Sequence, residues 1–298
     1  MSAAQGRPSP RGEFVDIGGR KLRIVCDGPQ GDGPIVVLEA GAFGLASDWA
    51  VVQSRLAAEG VRSCAYDRAG MGYSDPGPSP RDGIAVAEDL EKLLAAAHER
   101  PPYILVGHSM AGLRIWLFAK RNHQLVQGLV FVDATTPESS ETSTERAFLA
   151  PFTLVSRAAA ISATAGLMQP LRIMGDTIGL PPQAADEKRW AFGDGRHNRT
   201  GAAEVDEWMR ATRQALDSGP LDPSLPVAVV TAGRHAASDQ SLQAAPARQS
   251  RRGYFANAEH ASHANLLGPL FADQIIKAID FVRAAAADAA VRPDPGQS

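Results

Sequence analysis

The residues of this chain best suited to making and breaking bonds are one serine set among small residues, seven histidines and a few carboxylates that close apolar runs. The serine lies in Gly107-His108-Ser109-Met110-Ala111-Gly112, directly after the apolar run Tyr103–Val106 and directly before a helical pattern. A serine hydroxyl attacks a carbonyl only when a base takes its proton, and that base is usually a histidine oriented by a carboxylate. The chemistry on offer is therefore acyl transfer. A strand, a one-residue serine corner and a helix form a nucleophile elbow, in which small neighbours let strand and helix approach and the helix N-terminus offers an N–H to an anion. The five-residue pattern is met as G-x-S-x-A, with Gly112 one position further on. The same letters alone would also fit a tight packing corner, and the flanking strand and helix favour the nucleophile.

The elements that must hold this corner alternate between strand and helix, which predicts a mostly parallel sheet covered on both faces. "EFVDIGGRKLRIVCDG" predicts an antiparallel edge hairpin around Gly18-Gly19, followed by strands in "PIVVLEAG", "VRSCAYDRAG", "YILVGH" and "GLVFVDA" with helices between them. From 137 to 221 no strand pattern occurs, and helices broken by Pro170, Pro181 and Pro182 predict an inserted cap. The expected organisation is a disordered leader at 1–12, a core of 13–136 and 222–287, the cap at 137–221, and a disordered tail at 288–298.

Three stretches, "VVLEAGAFGLASDW", "AYDRAGMGYSDPGP" and "LVGHSMAGL", together resemble the α/β-hydrolase fold superfamily, most closely its serine hydrolases with a helical cap. The resemblance runs from about Phe14 to Val282, and departs from many relatives in having Ala40-Gly41 where they have His-Gly. It implies an oxyanion hole made by the backbone N–H groups of Met110 and Ala42, with Phe43 the less favoured second donor. It places the base on the loop after the last strand, at His263 in preference to His260. The acid is expected at Asp133, which closes "GLVFVDA", in preference to Asp239 in the loop after "VAVVTAG", where the short-loop position lacks a carboxylate. Asp67 and Arg68 would fix a loop near the site, Glu39 would salt-bridge within the core, and His108 would hydrogen-bond under the sheet. A nucleophilic aspartate in the elbow would be needed by a haloalkane dehalogenase or an epoxide hydrolase, and Ser109 argues against both.

The expected activity is hydrolysis of a carboxylic ester, with amidase, thioesterase, C–C hydrolase and perhydrolase chemistry, or a ligand receptor on the same fold, as the alternatives. No cofactor and no metal are required. Phe43, His108, Trp190 and Trp208 are candidate substrate contacts, and Phe148, Phe152, Leu167, Met168 and Met209 are further apolar candidates in the cap. The substrate would be a small molecule with an apolar acyl or ester part.

A net charge of −3, 44% hydrophobic residues and 21% charged residues describe an ordinary globular chain with no strongly charged partner. Arg248, Arg251 and Arg252 are read as a solvated edge, so nucleic acid is not expected. Without a secretory apolar core or an uninterrupted apolar stretch of ~20 residues, a cytoplasmic protein with no membrane association is expected, which would leave the Asn198-Arg199-Thr200 sequon unused. Cys26 and Cys64 are expected to be buried reduced thiols.

Overall fold

The computed structural model describes residues 6–140, 142–233 and 241–291. They form one eight-stranded sheet: β1 (Glu13–Asp16), β2 (Lys21–Asp27), β3 (Ile35–Glu39), β4 (Ser63–Tyr66), β5 (Tyr103–His108), β6 (Val126–Val132), β7 (Val227–Ala232) and β8 (Gly253–Ala258). In space the order is β1-β2-β4-β3-β5-β6-β7-β8. The first three of these pair antiparallel, and every pairing from β4 onward is parallel. Strands β3, β5 and β7 are buried along their whole length, as expected of parallel strands covered on both faces.

Helices α1 (Ala50–Ala58) and α10 (Ala272–Val291) cover one face, with Trp49, Val52 and Leu56 meeting Ile275, Ile279 and Val282. Helices α2 (Gly83–Ala96) and α3 (Ala111–Arg121) cover the other through Leu90, Leu93, Trp116 and Phe118. The last helix runs to Val291, past the expected end near 287. Between β6 and β7 the chain makes α4 (Pro137–Ser140), α5 (Ser143–Thr164), α6 (Pro182–Gly193), α7 (Gly195–Asp206) and α8 (Trp208–Asp217), the helical insertion anticipated from the missing strand pattern. A short helix, α9 (Ala245–Gln249), precedes β8. Helix α5 leaves Leu154, Val155 and Ile161 open to solvent. Its stretch Ala147–Thr164 has a mean hydropathy of 1.3, long and apolar enough by length and composition to cross a membrane.

The thiols differ from expectation. Cys26 and Cys64 are joined by a disulfide. The cause is register: β2 and β4 pair antiparallel with Cys26 opposite Cys64 and their Cα atoms 4.0 Å apart. Pairing of strands 38 residues apart cannot be read from either strand's own sequence. Joined in this way, the sulfurs beside Glu99 offer no thiolate to a metal.

The parallel register decides where chemistry can happen. Glu39 lies opposite Gly107, His108 opposite Val132, and Ala232 opposite Ala258. The carboxyl ends of β3, β5, β6, β7 and β8 are therefore level, and the loops that leave them meet along one edge of the sheet.

Candidate active site

Ser109 leaves β5 with φ of +58°, a conformation that costs a non-glycine residue about 1–3 kcal/mol and persists only when its surroundings hold it. Here they do. Its N–H donates to the Val132 carbonyl at 3.1 Å, and its own carbonyl accepts from Gly112 and Thr135, each at 3.0 Å. The small neighbours are needed for these contacts. A Cβ on Gly107 would lie 2.9 Å from the Ala111 carbonyl, and one on Gly112 only 2.2 Å from that of Thr135. Gly112 thus supplies the close approach that the pattern asks of position 111.

Asp133 lies just past the end of neighbouring β6, also at positive φ (+42°), with its N–H on the Val230 carbonyl at 2.6 Å. Its carboxylate accepts at Oδ1 from the Ala232 N–H at 3.1 Å and at Oδ2 from His263 Nδ1 at 2.6 Å. Burial opposes ionisation of Asp133, but the His263 hydrogen bond and charge outweigh it and hold the carboxyl below its ordinary 3.8. His263 sits in the turn after β8, which is locked by Ser262 N–H to Asn265 Oδ1 at 2.7 Å. Asp133 and His263, named from the sequence, are thus brought together. His260 is exposed on the same loop, and Asp239 lies outside the described residues.

His108 corrects the expectation that it turns under the sheet. Its Nε2–H donates to the His263 carbonyl at 2.9 Å, and the two rings lie 4.4 Å apart. Burial, reinforced by the nearby His263 charge, pushes His108 down to about 3, so it stays neutral and keeps this bond. The reason is that β5 ends at His108, whose ring packs beside the loop after β8.

The loop after β3 is held by charges that sequence spacing did not reveal. Arg68 donates to the Ala40 carbonyl at 2.7 Å and to the Gly41 carbonyl at 2.9 Å, and Arg114 donates to Ala40 at 3.2 Å. A trans peptide places its N–H opposite its C=O, so the Gly41 carbonyl turned to Arg68 aims the Ala42 N–H the other way. Neither the Ala42 nor the Met110 N–H has an acceptor among the described residues. The loop also touches the serine, since a Cβ on Gly41 would lie 2.8 Å from Ser109 Cβ. Both arginines are neutralised by buried Glu39 and by Glu204 of α7, with Arg68 and Arg114 each 2.9 Å or less from Glu204. Glu204 is pulled down to about 2: burial opposes the shift, and the charge of Arg68 followed by that of Arg114 overcomes it. From the same helix, His197 accepts from Gly72 N–H at Nδ1 (3.0 Å) and donates from Nε2 to the Phe43 carbonyl (3.1 Å). Asp67 accepts from Ala46 and Tyr73 N–H groups, the loop-fixing role expected of it.

Two cavities meet at Ser109. The larger, about 680 Å³, is walled by Phe43, Phe148, Phe152 and Trp208, with Phe148 and Phe152 stacked 5.2 Å apart. The smaller, about 190 Å³, contains Asp48, His108, Thr177 and Lys188 in its lining. Trp190 borders neither, a second correction: α6 turns it away from the serine onto Tyr73, 4.8 Å between ring centroids. Leu167 is open to solvent, and Met168 and Met209 line neither cavity.

A family model described as alpha/beta hydrolase fold matches residues 34–160. Among solved structures, the epoxide hydrolase CorEH superposes with a TM-score of 0.70 at 17% identity, over 90% of this chain and 97% of its own. A thermophilic esterase from Thermogutta terrifontis superposes with a TM-score of 0.64 at 20% identity, over 93% and 100%. The chain has the α/β-hydrolase fold. Among curated sequences, this α/β-hydrolase-fold chain is 37% identical over 130 residues to a "Probable transporter efuK" of Hormonema carpetanum, covering 41% of this chain and 18% of that protein. It is 32% identical over 112 residues to an "AB hydrolase superfamily protein" of Gibberella zeae, covering 36% and 34%. The chain therefore spans about a third or less of the length of these two curated relatives.

Proposed function

We propose that the protein is a serine hydrolase that cleaves a carboxylic ester through an acyl-enzyme. The observation that carries this reading is the 2.6 Å bond from His263 Nδ1 to Asp133 Oδ2, made by a histidine that borders the same two cavities as Ser109. With Nδ1–H given to the carboxylate, Nε2 keeps its lone pair and is the nitrogen that can take a proton from the serine. Ser109 Oγ then attacks the ester carbon while His263 takes its proton, and the oxyanion receives the Met110 and Ala42 N–H groups, each donor contributing roughly 3 kcal/mol. His263 returns the proton to the departing alcohol. Water, deprotonated by the same nitrogen, attacks the acyl-serine and restores the enzyme.

The fold is shared with epoxide hydrolases, but a serine that opened an epoxide would form an ether, which water does not cleave under the same catalysis. A carboxylate nucleophile would form an ester there, which water does cleave. Ser109 therefore supports acyl substrates, and the aromatic wall of the larger cavity supports an apolar part in that substrate. The test is a fluorophosphonate followed by peptide mass mapping: one adduct is expected, on Ser109, and Ser109→Ala should turn over no short p-nitrophenyl ester. An adduct on another residue, or an active Ser109→Ala enzyme, overturns the assignment.

A further inference from the structure

Helix α5 reverses the usual pattern of a surface helix, which turns its large apolar side chains to the core and its polar ones to water. Pro151, Leu154, Ala158 and Ile161 recur at helical spacing on its exposed side, while the buried side is made of Ser156, Ala160 and Ala163. Only 17% of Ala147–Thr164 is buried, so this is not a core helix. Leu154, Val155, Ile161, Leu167, Ile173 and Met174 are each between 62% and 77% exposed. Among the described residues, eight of the twelve exposed large apolar side chains fall between 148 and 174. Apolar residues exposed singly are ordinary, whereas such a cluster marks a docking surface.

Charge decides what covers this face. From 147 to 175 the chain carries Arg157 and Arg172 and no aspartate or glutamate, a local charge of +2 in a chain of net −3. An apolar face with arginines on it complements a bilayer with anionic headgroups: the apolar side chains enter the acyl boundary and the arginines reach the headgroups. The same face of a second copy would bring arginines against arginines, with no carboxylate of this stretch to pair them. Residues 1–5, 141, 234–240 and 292–298 hold no large apolar residue except Met1, so none of them offers an apolar cover. Helix α5 is fixed along α7 by Arg157 to Asp206 at 3.0 Å and by Arg199 to Thr164 Oγ1 at 2.8 Å, so it lies on the fold and does not span a bilayer. The missing apolar run of ~20 residues speaks against spanning, not against lying in an interface.

We propose that the outer face of α5, with the residues that follow it up to 175, docks the protein on an anionic lipid bilayer. Phe148 and Phe152 belong to the same helix and wall the larger cavity. On the serine-ester reading, on which this consequence alone rests, an apolar ester dissolved in the bilayer enters that cavity from the docked side. Flotation of the full chain with phosphatidylcholine vesicles, with and without phosphatidylglycerol, tests the docking. The wild-type protein should float with both, and several-fold more strongly where phosphatidylglycerol is present. Leu154→Gln combined with Ile161→Gln leaves the charge unchanged and should lower the partition about a hundredfold, roughly tenfold for each side chain. Its activity on p-nitrophenyl acetate in solution should stay within about twofold, while hydrolysis of p-nitrophenyl palmitate dissolved in vesicles falls with the partition. Ile173→Ser combined with Met174→Ser gives the same comparison if the first variant does not fold. Wild-type protein that stays out of the vesicle fraction at millimolar lipid overturns the docking, as does flotation that neither variant weakens. Dimers in sedimentation velocity that the same variants dissolve, without flotation, give the face to a second copy and overturn it too. Fluorophosphonate labelling of Ser109 without flotation removes the docking and leaves the serine hydrolase; flotation without labelling leaves the docking and removes the ester's delivery.

Discussion

Replacing Asp133 by asparagine should preserve the turn and disable the base. The backbone at 133 has φ of +42°, a region that asparagine enters readily, so this substitution adds little strain where alanine would add about 1 kcal/mol. The amide cannot choose its orientation freely. The Ala232 N–H, 3.1 Å from Oδ1, requires an acceptor there, so the amide oxygen takes that place and the NH2 faces His263. Nδ1 must then accept, which moves the ring proton to Nε2, and a protonated Nε2 cannot take a proton from Ser109. A histidine held in this wrong tautomer lowers kcat by about 10⁴-fold, or roughly 5.5 kcal/mol of barrier. The lost charge-assisted bonds should cost about 1–3 kcal/mol of stability. Both quantities can be measured on one preparation, with kcat/KM and the rate of fluorophosphonate labelling for the first and a circular dichroism melt for the second. Asp239→Asn serves as the paired variant and should stay near wild type. A folded Asp133→Asn enzyme within tenfold of wild type, beside a crippled Asp239→Asn enzyme, would refute the reasoning and move the acid to the later loop.

Two further outcomes follow from buried groups. His108 and His197 are each pushed to about 3, mainly by burial, whereas the unfolded chain protonates near the ordinary histidine value of 6.5. Between those values the unfolded state binds more protons, so stability is full above about pH 6.5 and falls as pH drops towards 3, by up to about 1.4 kcal/mol per pH unit for each histidine. Urea melts across that window should show the loss, with a shallower slope for His197→Gln; a flat profile would contradict it. Reduction of Cys26–Cys64, which closes a loop of 38 residues in sequence separation, should cost about 4 kcal/mol in a chain-entropy account and lower Tm by roughly 6 °C in a chain of this size. A Cys26→Ala, Cys64→Ala protein should not respond to reductant, and a wild-type shift below about one degree would argue against the bond's contribution.

What could be read from the sequence was what lies close together along it. The corner at Ser109 was legible because strand, small residues and helix are contiguous, and Asp133 because it closes an apolar run. His263 came from the order of elements that the resemblance supplied. Contacts made across the fold were not legible. Cys64 faces Cys26 only through an antiparallel register, and Glu204 meets Arg68 across 136 positions. Lys188 meets Asp48 across 140. His108 was expected to hydrogen-bond under the sheet, but the alternation of strand side chains stops at the last residue of β5, where the chain begins to turn. Trp190 and Trp208 are both buried cap tryptophans, and only the packing of α6 and α8 decides that Trp208 walls the larger cavity while Trp190 stacks on Tyr73.

The carbonyls of Ala40, Gly41 and Phe43 are held from two sides, by arginines of the core and by Glu204, His197 and Lys188 of the inserted helices. The cap is therefore not an exchangeable lid. A chimaera that took residues 137–221 from a relative with a different pocket would strip the two arginines of a counter-charge and release the Phe43 carbonyl, unless equivalents of these three side chains came with it. Grafting for new specificity on this scaffold should begin from the walls around Phe148, Phe152 and Trp208, and leave the underside of α7 as it is.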